Sequence, residues 1–253
     1  MNIAIVTGAS SGMGAECVRQ LNKACTKLDE IWIIARRLDR LREVADCKGN
    51  ALIRPIAMDI TNDAHVDALI DAFREVKPHI RMLVNAAGNG VIGRFDDESY
   101  DDELSMIDLN CRALTAFTKI CLPYMDKNSR IINFASAAAF LPQPEFAVYA
   151  ATKSYVLSFS RALRKELKGR GIAVTAVCPG PVATEFFEIA EKHHSIPAYK
   201  KLAMVRPAAV VEKALKDSRA KREVSVYSAA MNIFRFFTKV LPHSLFLYFW
   251  KEA

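Results

Sequence analysis

The chain opens on a short apolar run, Ile3-Ala4-Ile5-Val6, which passes directly into Thr7-Gly8-Ala9-Ser10-Ser11-Gly12-Met13-Gly14 and then into a helix-forming segment over about residues 15–24. A strand, a glycine-rich turn and a helix in that order constrain the fold strongly. The glycines let the backbone come close to a ligand, and the helix N-terminus offers free N–H groups and the positive end of its dipole to an anion. The spacing, G-x-x-x-G-x-G, is one residue wider at the first gap than the common dinucleotide-binding pattern, and a tight structural turn would use the same residues.

The rest of the chain repeats the theme. Apolar, strand-like runs recur at residues 31–35, 52–58, 82–84, 131–135 and 172–178, with a further strand at 223–227. Helical periodicity is expected up to about residue 76 after the third run, then over 104–125, 147–167 and 208–219. Strands alternating with helices imply a parallel sheet with helices on both faces. No linker and no internal repeat interrupts the pattern, so one domain is expected.

In such a fold the end of the second strand meets the adenosine ribose of a bound dinucleotide. An acidic residue there pairs with the free 2′-hydroxyl of NAD, whereas arginine suits the 2′-phosphate of NADP. The second run is followed by Arg36-Arg37 and no carboxylate, which favours NADP(H) over NAD(H), although at least one of the two is expected to be a solvated helix-start cation. Asn110 falls in the middle of the 104–125 helix, where asparagine is unfavourable by propensity, and this points to a packing or site role.

The fifth strand delivers Ser136, and thirteen residues later comes Tyr149-Ala-Ala-Thr-Lys153. On a helix, Tyr149 and Lys153 share a face as an i, i+4 pair. An ammonium beside a phenol favours the phenolate and lowers its pKa, which suits proton exchange with an alcohol or ketone oxygen near neutral pH. Ser136 is placed to donate a hydrogen bond to the same oxygen. Taken alone, Tyr-x-x-x-Lys is equally well an exposed aromatic–lysine pair; it gains meaning beside a hydride donor.

Composition narrows the alternatives. The net charge of +7 comes from 35 basic and 28 acidic residues that are interspersed, and no nucleic-acid motif accompanies them, so nucleic acid is not an expected partner. The six cysteines form no C-x-x-C pair and the five histidines add no ligand spacing, which argues for reduced thiols in a cytoplasmic protein and against a metal site. Met1-Asn2 leads straight into the first strand with no basic leader, so no signal peptide is expected. Residues 229–253 are strongly apolar and aromatic, but Arg235, Lys239, Pro242 and His243 break the run too often for a membrane-spanning helix. Two short amphipathic helices around Pro242 are expected, covering the substrate cleft or a subunit interface, or else lying on a membrane surface.

The motifs Thr7-Gly8-x-x-x-Gly12-x-Gly14, Asp59, Asn85-Ala86-Ala87-Gly88, Asn110, Ser136, Tyr149-x-x-x-Lys153 and Pro179-Gly180, in this order and spacing, resemble the compact, single-domain branch of the short-chain dehydrogenase/reductase family over about residues 2–228. The resemblance implies an α/β Rossmann-type fold, a doubly wound parallel sheet of about seven strands flanked by helices. The domain would cover residues 1–228, with a substrate loop at about 185–206 and an apolar helical extension at 229–253. It further implies that Gly8, Ser10, Ser11, Gly12, Met13 and Gly14 hold the pyrophosphate of NADP(H), and that Asp59 and Ile60 meet the adenine. Asn85, Ala86, Ala87 and Gly88 would serve the inner ribose region; Pro179, Gly180, Val182 and Thr184 would serve the nicotinamide end. Tyr149 becomes the general acid/base and Ser136 polarises the substrate oxygen. Lys153 lowers the tyrosine pKa and binds the nicotinamide ribose, and Asn110 supports a relay water. Met13 stands where the family usually carries isoleucine or leucine.

The implied activity is NADP(H)-dependent interconversion of a carbonyl and an alcohol. The apolar segments at 185–206 and 229–253 suggest a hydrophobic small-molecule substrate, and a homo-oligomer, dimer or tetramer, is usual for the family. Two rivals are weighed against this: a non-catalytic NADP-binding sensor, and a protein whose main role is peripheral membrane contact through 229–253. The sensor is disfavoured because Ser136, Tyr149 and Lys153 are all present. A sugar-nucleotide epimerase is disfavoured because no sizeable substrate domain fits after the sixth strand.

Overall fold

A computed structural model of the chain describes residues 1–190 and 204–249. Its strands are Asn2–Thr7 (β1), Glu30–Ala35 (β2), Leu52–Ala57 (β3), His79–Asn85 (β4), Arg130–Phe134 (β5), Ala173–Val177 (β6) and Val224–Ser225 (β7). Helices Gly12–Ala24 (α1), Leu38–Ala45 (α2), Asp63–Val76 (α3), Tyr100–Ile107 (α4), Leu114–Cys121 (α5), Ala147–Glu166 (α6), Glu185–Ala190 (α7), Pro207–Arg219 (α8), Ala229–Val240 (α9) and His243–Tyr248 (α10) lie between and after them.

All neighbouring strands pair in parallel, in the order β3-β2-β1-β4-β5-β6-β7. This is the Rossmann-type α/β sheet that the alternation of strands and helices implied. The central strands are apolar at successive positions because both sheet faces are covered. On one face Ala4, Val6, Ile31, Ile33 and Val84 pack against Val18 and Leu21 of α1 and Val211 of α8. On the other, Ile3, Ile5, Ile34 and Leu83 pack against Phe73 of α3, Phe117 of α5 and Leu163 of α6. Each fully buried Val, Leu, Ile or Phe side chain among these stabilises the fold by about 1.5–3 kcal/mol.

The chain builds outward from β1 through β2 to β3, then returns to place β4 on the other side of β1. The connections leaving the carboxyl ends of β1 and β4 therefore diverge, and a crevice opens between them. The glycine turn and the segment Ala86–Gly88 border that crevice.

The structure departs from the sequence reading in several places. The helix that the helix-start cation implied is present: α2 lies between the second and third strands with Arg37 at its N-cap, although the sequence reading gives it no bounds. In place of one helix over 104–125 there are α4, a π-helical turn over Asp108–Ala113, α5 and a 3₁₀ turn over Leu122–Tyr124. Asn110 lies in the π turn, a geometry often found where a helix is adapted to a site. The seventh strand is only Val224–Ser225, shorter than 223–227. Residues 191–203, with His193-His194 and most of the expected substrate loop, lie outside the described residues.

All six cysteines are free thiols. Among the described residues no cluster of histidine, cysteine or carboxylate side chains could hold a metal ion, and no helix is long and apolar enough to cross a membrane.

Candidate active site

A cavity of about 580 Å³ fills the crevice at the carboxyl ends of β1 and β4. It runs from Arg36 and Asp59 at one end, over the glycine turn, to Tyr149 and Phe186 at the other. The turn is built for close packing. Gly8 and Gly12 have φ of +65° and +53°, a region that side-chain-bearing residues rarely adopt. A Cβ on Gly14 would lie 2.2 Å from the Gly8 carbonyl oxygen, so α1 can start this close to β1 only with glycine there. Ser11 caps α1 without a side-chain hydrogen bond, and the first turn carries no acidic residue. The N–H groups at this helix end are left to face the cavity, and its positive dipole is not neutralised from within.

At the other end, β5 delivers Ser136 and the first turn of α6 carries Tyr149. Tyr149 is buried, and its ring stacks on Phe146 with centroids 4.1 Å apart and lies 5.5 Å from Phe186. Burial pushes the Tyr149 phenol up to about 12, offset in part by a hydrogen bond with Ser136. Lys153 is buried one helical turn on; its Nζ donates to the Phe134 carbonyl at 3.1 Å and sits 5.5 Å from the Tyr149 ring centroid. Desolvation brings the Lys153 ammonium down to about 8, with the Cys111 and Cys178 thiols opposing. The expected lowering of the tyrosine by Lys153 is thus corrected. The helical pairing is present, but taking the phenol out of water sets the direction, opposed by the Ser136 hydrogen bond.

Gly88 makes room for this arrangement: a Cβ there would stand 2.9 Å from Asn110 Oδ1 and 3.2 Å from Lys153 Nζ. Of the residues named from sequence, all line the cavity except Asn85 and Asn110. Asn85 belongs to a buried polar row: its carboxamide donates to Thr118 at 3.0 Å and to Asn133 at 2.8 Å, and Asn133 donates to Ser160 at 2.9 Å. It ties β4 to β5 and α5 rather than facing a ligand. Asn110 donates to the Asn89 carbonyl at 2.9 Å and to Thr152 at 3.0 Å, and accepts from the Asn89 N–H at 3.1 Å. These bonds engage both ends of its carboxamide. Through them Asn110 pins the loop after β4 to α6.

At the Arg36 end of the cavity the two arginines behave differently. Arg37 is held by Glu185, the first residue of α7, through two N–O contacts of 2.7 Å, and also donates to Ser10 at 3.3 Å. Hydrogen bonds from Arg37 and then Ser11 bring the Glu185 carboxyl down to about 2. Arg36 is exposed, lines the cavity and makes no hydrogen bond or ion pair among the described residues. Asp59 is held below its ordinary range although burial opposes this, because Thr61 donates to it twice, at 2.9 and 2.7 Å, and Arg36 attracts it. After β6, Thr184 reaches back to the glycine turn, where a Cβ on Gly12 would touch it at 3.3 Å, and Gly180 lies against Met231 of α9.

Sequence reasoning missed Phe146, Gln143 and the role of Glu185. Phe146 is the N-cap of α6, and the available signal was an aromatic residue three positions before Tyr149. Glu185 carries no local signal.

The residue set fits a dinucleotide: a long cleft, a helix N-terminus without a side-chain cap on a glycine turn, an arginine open to the cavity, and a buried tyrosine and lysine side by side. Residues 2–194 match the short chain dehydrogenase family. An uncharacterized oxidoreductase of Staphylococcus epidermidis is 33% identical over 188 residues, which are 74% of this chain and 80% of that protein. A short-chain dehydrogenase from Sphingobium yanoikuyae in complex with NADPH superposes with a TM-score of 0.80 at 24% identity, covering 100% of this chain and 98% of that one. A short-chain dehydrogenase/reductase from Burkholderia phymatum in complex with NAD gives 0.79 at 20% identity, covering 93% and 92%.

Proposed function

The chain belongs to the short-chain dehydrogenase/reductase family of oxidoreductases, and from that premise we propose that it is an NADP(H)-dependent reductase of hydrophobic carbonyl compounds, with Tyr149 as the proton donor. The observation that carries this reading is the convergence of Ser136 and Lys153 on the buried Tyr149 phenol at one end of the dinucleotide-shaped cavity.

The nicotinamide, when bound, supplies the hydride. The chain's own residues supply the proton and the geometry. Ser136 holds the substrate oxygen by a hydrogen bond, and Tyr149 gives it a proton as charge builds there. A phenol at about 12 is a proton donor throughout the neutral range, which supports the reductive direction. Lys153 stands behind Tyr149 and favours the phenolate left after transfer; on this reading it also binds the nicotinamide ribose. Asn110, Asn85 and Gly88 hold these groups in register.

NADP(H) rather than NAD(H) rests on charge. The two similar structures hold one cofactor each, so likeness of fold does not separate them. Arg36, however, is a cation without an ion-pair partner among the described residues, and no carboxylate directly follows β2 to take the 2′-hydroxyl. A hydrophobic substrate is supported by the wall beside Tyr149, where Phe146, Phe186 and Phe187 face the cavity. Exposed Leu104 and Ile107 on α4 and Tyr155 on α6 support a homo-oligomer, and free thiols suit a reducing, cytoplasmic setting.

The test is oxidation of NADPH and of NADH by the purified protein across aliphatic, aromatic and sugar carbonyls. NADPH-dependent turnover of apolar carbonyls is the expected result. Turnover restricted to small polar substrates would overturn the substrate class. Tight NADPH binding with no turnover on any compound would shift the reading to a sensor.

A further inference from the structure

The helices α9 and α10 have two unlike sides. Inward, Met231 lies against Gly180, Phe234 packs with Phe140 and Val226, Arg235 stands over the Phe140 ring at 5.9 Å, and Thr238 is buried. Outward, Ile233, Phe236, Phe237 and Val240 are 58%, 61%, 47% and 61% exposed. Their spacing is i, i+3, i+4, i+7, so they form one stripe along the helix. Across Pro242 the exposed apolar surface continues in Leu245, Tyr248 and Phe249 of the α10 segment, at 44%, 82% and 70%.

A stripe of this size facing water is not a stable end state for a soluble protein, so it marks a docking surface. Its charge says what docks. No acidic residue occurs between Glu223 and Glu252, whereas Arg235 and Lys239 lie on α9, with Lys239 exposed at the flank of the stripe, and the whole chain carries +7. An apolar aromatic face with cations at its edge and no carboxylate matches a surface that is apolar within and anionic above. Beneath α10 the apolar surface continues into a cavity of about 450 Å³ that includes Pro142, Ala151 and Leu247 and reaches Gln143, which also lines the candidate active site.

We infer that the outer face of α9 and α10 docks on an anionic lipid bilayer surface, lying in its interface without crossing it. The test is cosedimentation of the full chain with vesicles of phosphatidylcholine alone and of phosphatidylcholine with phosphatidylglycerol. Binding to the anionic vesicles that is weakened by salt and by omission of phosphatidylglycerol is expected. Lys239→Glu should weaken it by about fivefold or more, and Phe236→Glu with Phe237→Glu should abolish it while far-UV circular dichroism and Tm stay those of the parent. The wild-type comparison of the two vesicles needs no variant, so a variant that failed to fold would leave the test intact. A wild-type protein that stays in the supernatant with both vesicles would overturn the inference. So would a dimer that ignores vesicles and is made monomeric by Phe236→Glu, which would identify the face as a self-interface. Vesicle binding is read without turnover, so its outcome is separate from that of the reductase reading.

Discussion

Arg37 and Glu185 are joined by two contacts of 2.7 Å although 148 positions separate them in the chain. The pair ties the start of α2 to the start of α7 beside the cavity that both residues line. With side chains 42% and 30% exposed it is a screened pair, worth about 1 kcal/mol at most. On the NADP(H) reading proposed above the pair matters for charge: Glu185 neutralises a second guanidinium that a 2′-phosphate would otherwise meet beside Arg36.

Replacing Glu185 with Gln is therefore expected to tighten NADPH and leave NADH nearly unchanged. A gain of about fivefold corresponds to the value of the exposed pair. Fluorescence titration of both cofactors checks this, and equal changes for the two would separate Glu185 from phosphate recognition.

Arg36→Ala removes the cation that lies open to the cavity at the same end. A charge-assisted hydrogen bond is worth about 1.5–3 kcal/mol, so the Kd for NADPH is expected to rise by about tenfold or more. The Kd for NADH should stay within about twofold, since it offers no phosphate there. Equal losses for both cofactors would refute the selectivity argument.

Tyr149→Phe deletes the hydroxyl and keeps the ring that stacks on Phe146. Turnover is expected to fall by about 10²–10⁴-fold, with Tm close to that of the parent. Parent-like rates would remove Tyr149 from the proton-transfer role.

The pH dependence of stability reports the same pair. The Lys153 pKa goes from its ordinary 10.5 down to about 8 in the fold. Between those values the unfolded chain binds a proton that the native chain does not, so this group makes stability rise with pH across that window. Tyr149 acts oppositely: from 10.0 it goes up to about 12, the native chain keeps a proton that the unfolded chain loses, and stability falls as pH rises through that range. Tm measured from pH 7 to 10 should therefore carry an upward contribution that Lys153→Met removes. A Tm–pH profile unchanged by that substitution would show that Lys153 is not desolvated as described.

Much of the architecture is legible in the sequence because its signals are local. Ile3–Val6 running into Gly8, Gly12 and Gly14 specifies a buried strand, a tight turn and a helix start within a dozen residues, and the recurrence of apolar runs specifies a parallel sheet. Periodicity over 104–125 fits a single helix. The π turn that carries Asn110 is an accommodation to Asn89 and Thr152, which are distant in sequence, so periodicity does not register it. Poor helix propensity marks Asn110 as unusual but does not name its partners.

Residue types and helical spacing suffice to say which chemical groups the chain owns, and that Tyr149 and Lys153 share a face one turn apart. The environment of those groups comes from packing. Burial among Phe146, Phe186 and Gly90 raises the phenol where the neighbouring charge alone would lower it, because desolvation depends on everything packed around a group and not on the residue four positions away. The same holds for the two adjacent arginines: identical in sequence terms, they differ only because the fold brings Glu185 to Arg37 and leaves Arg36 open to the cavity.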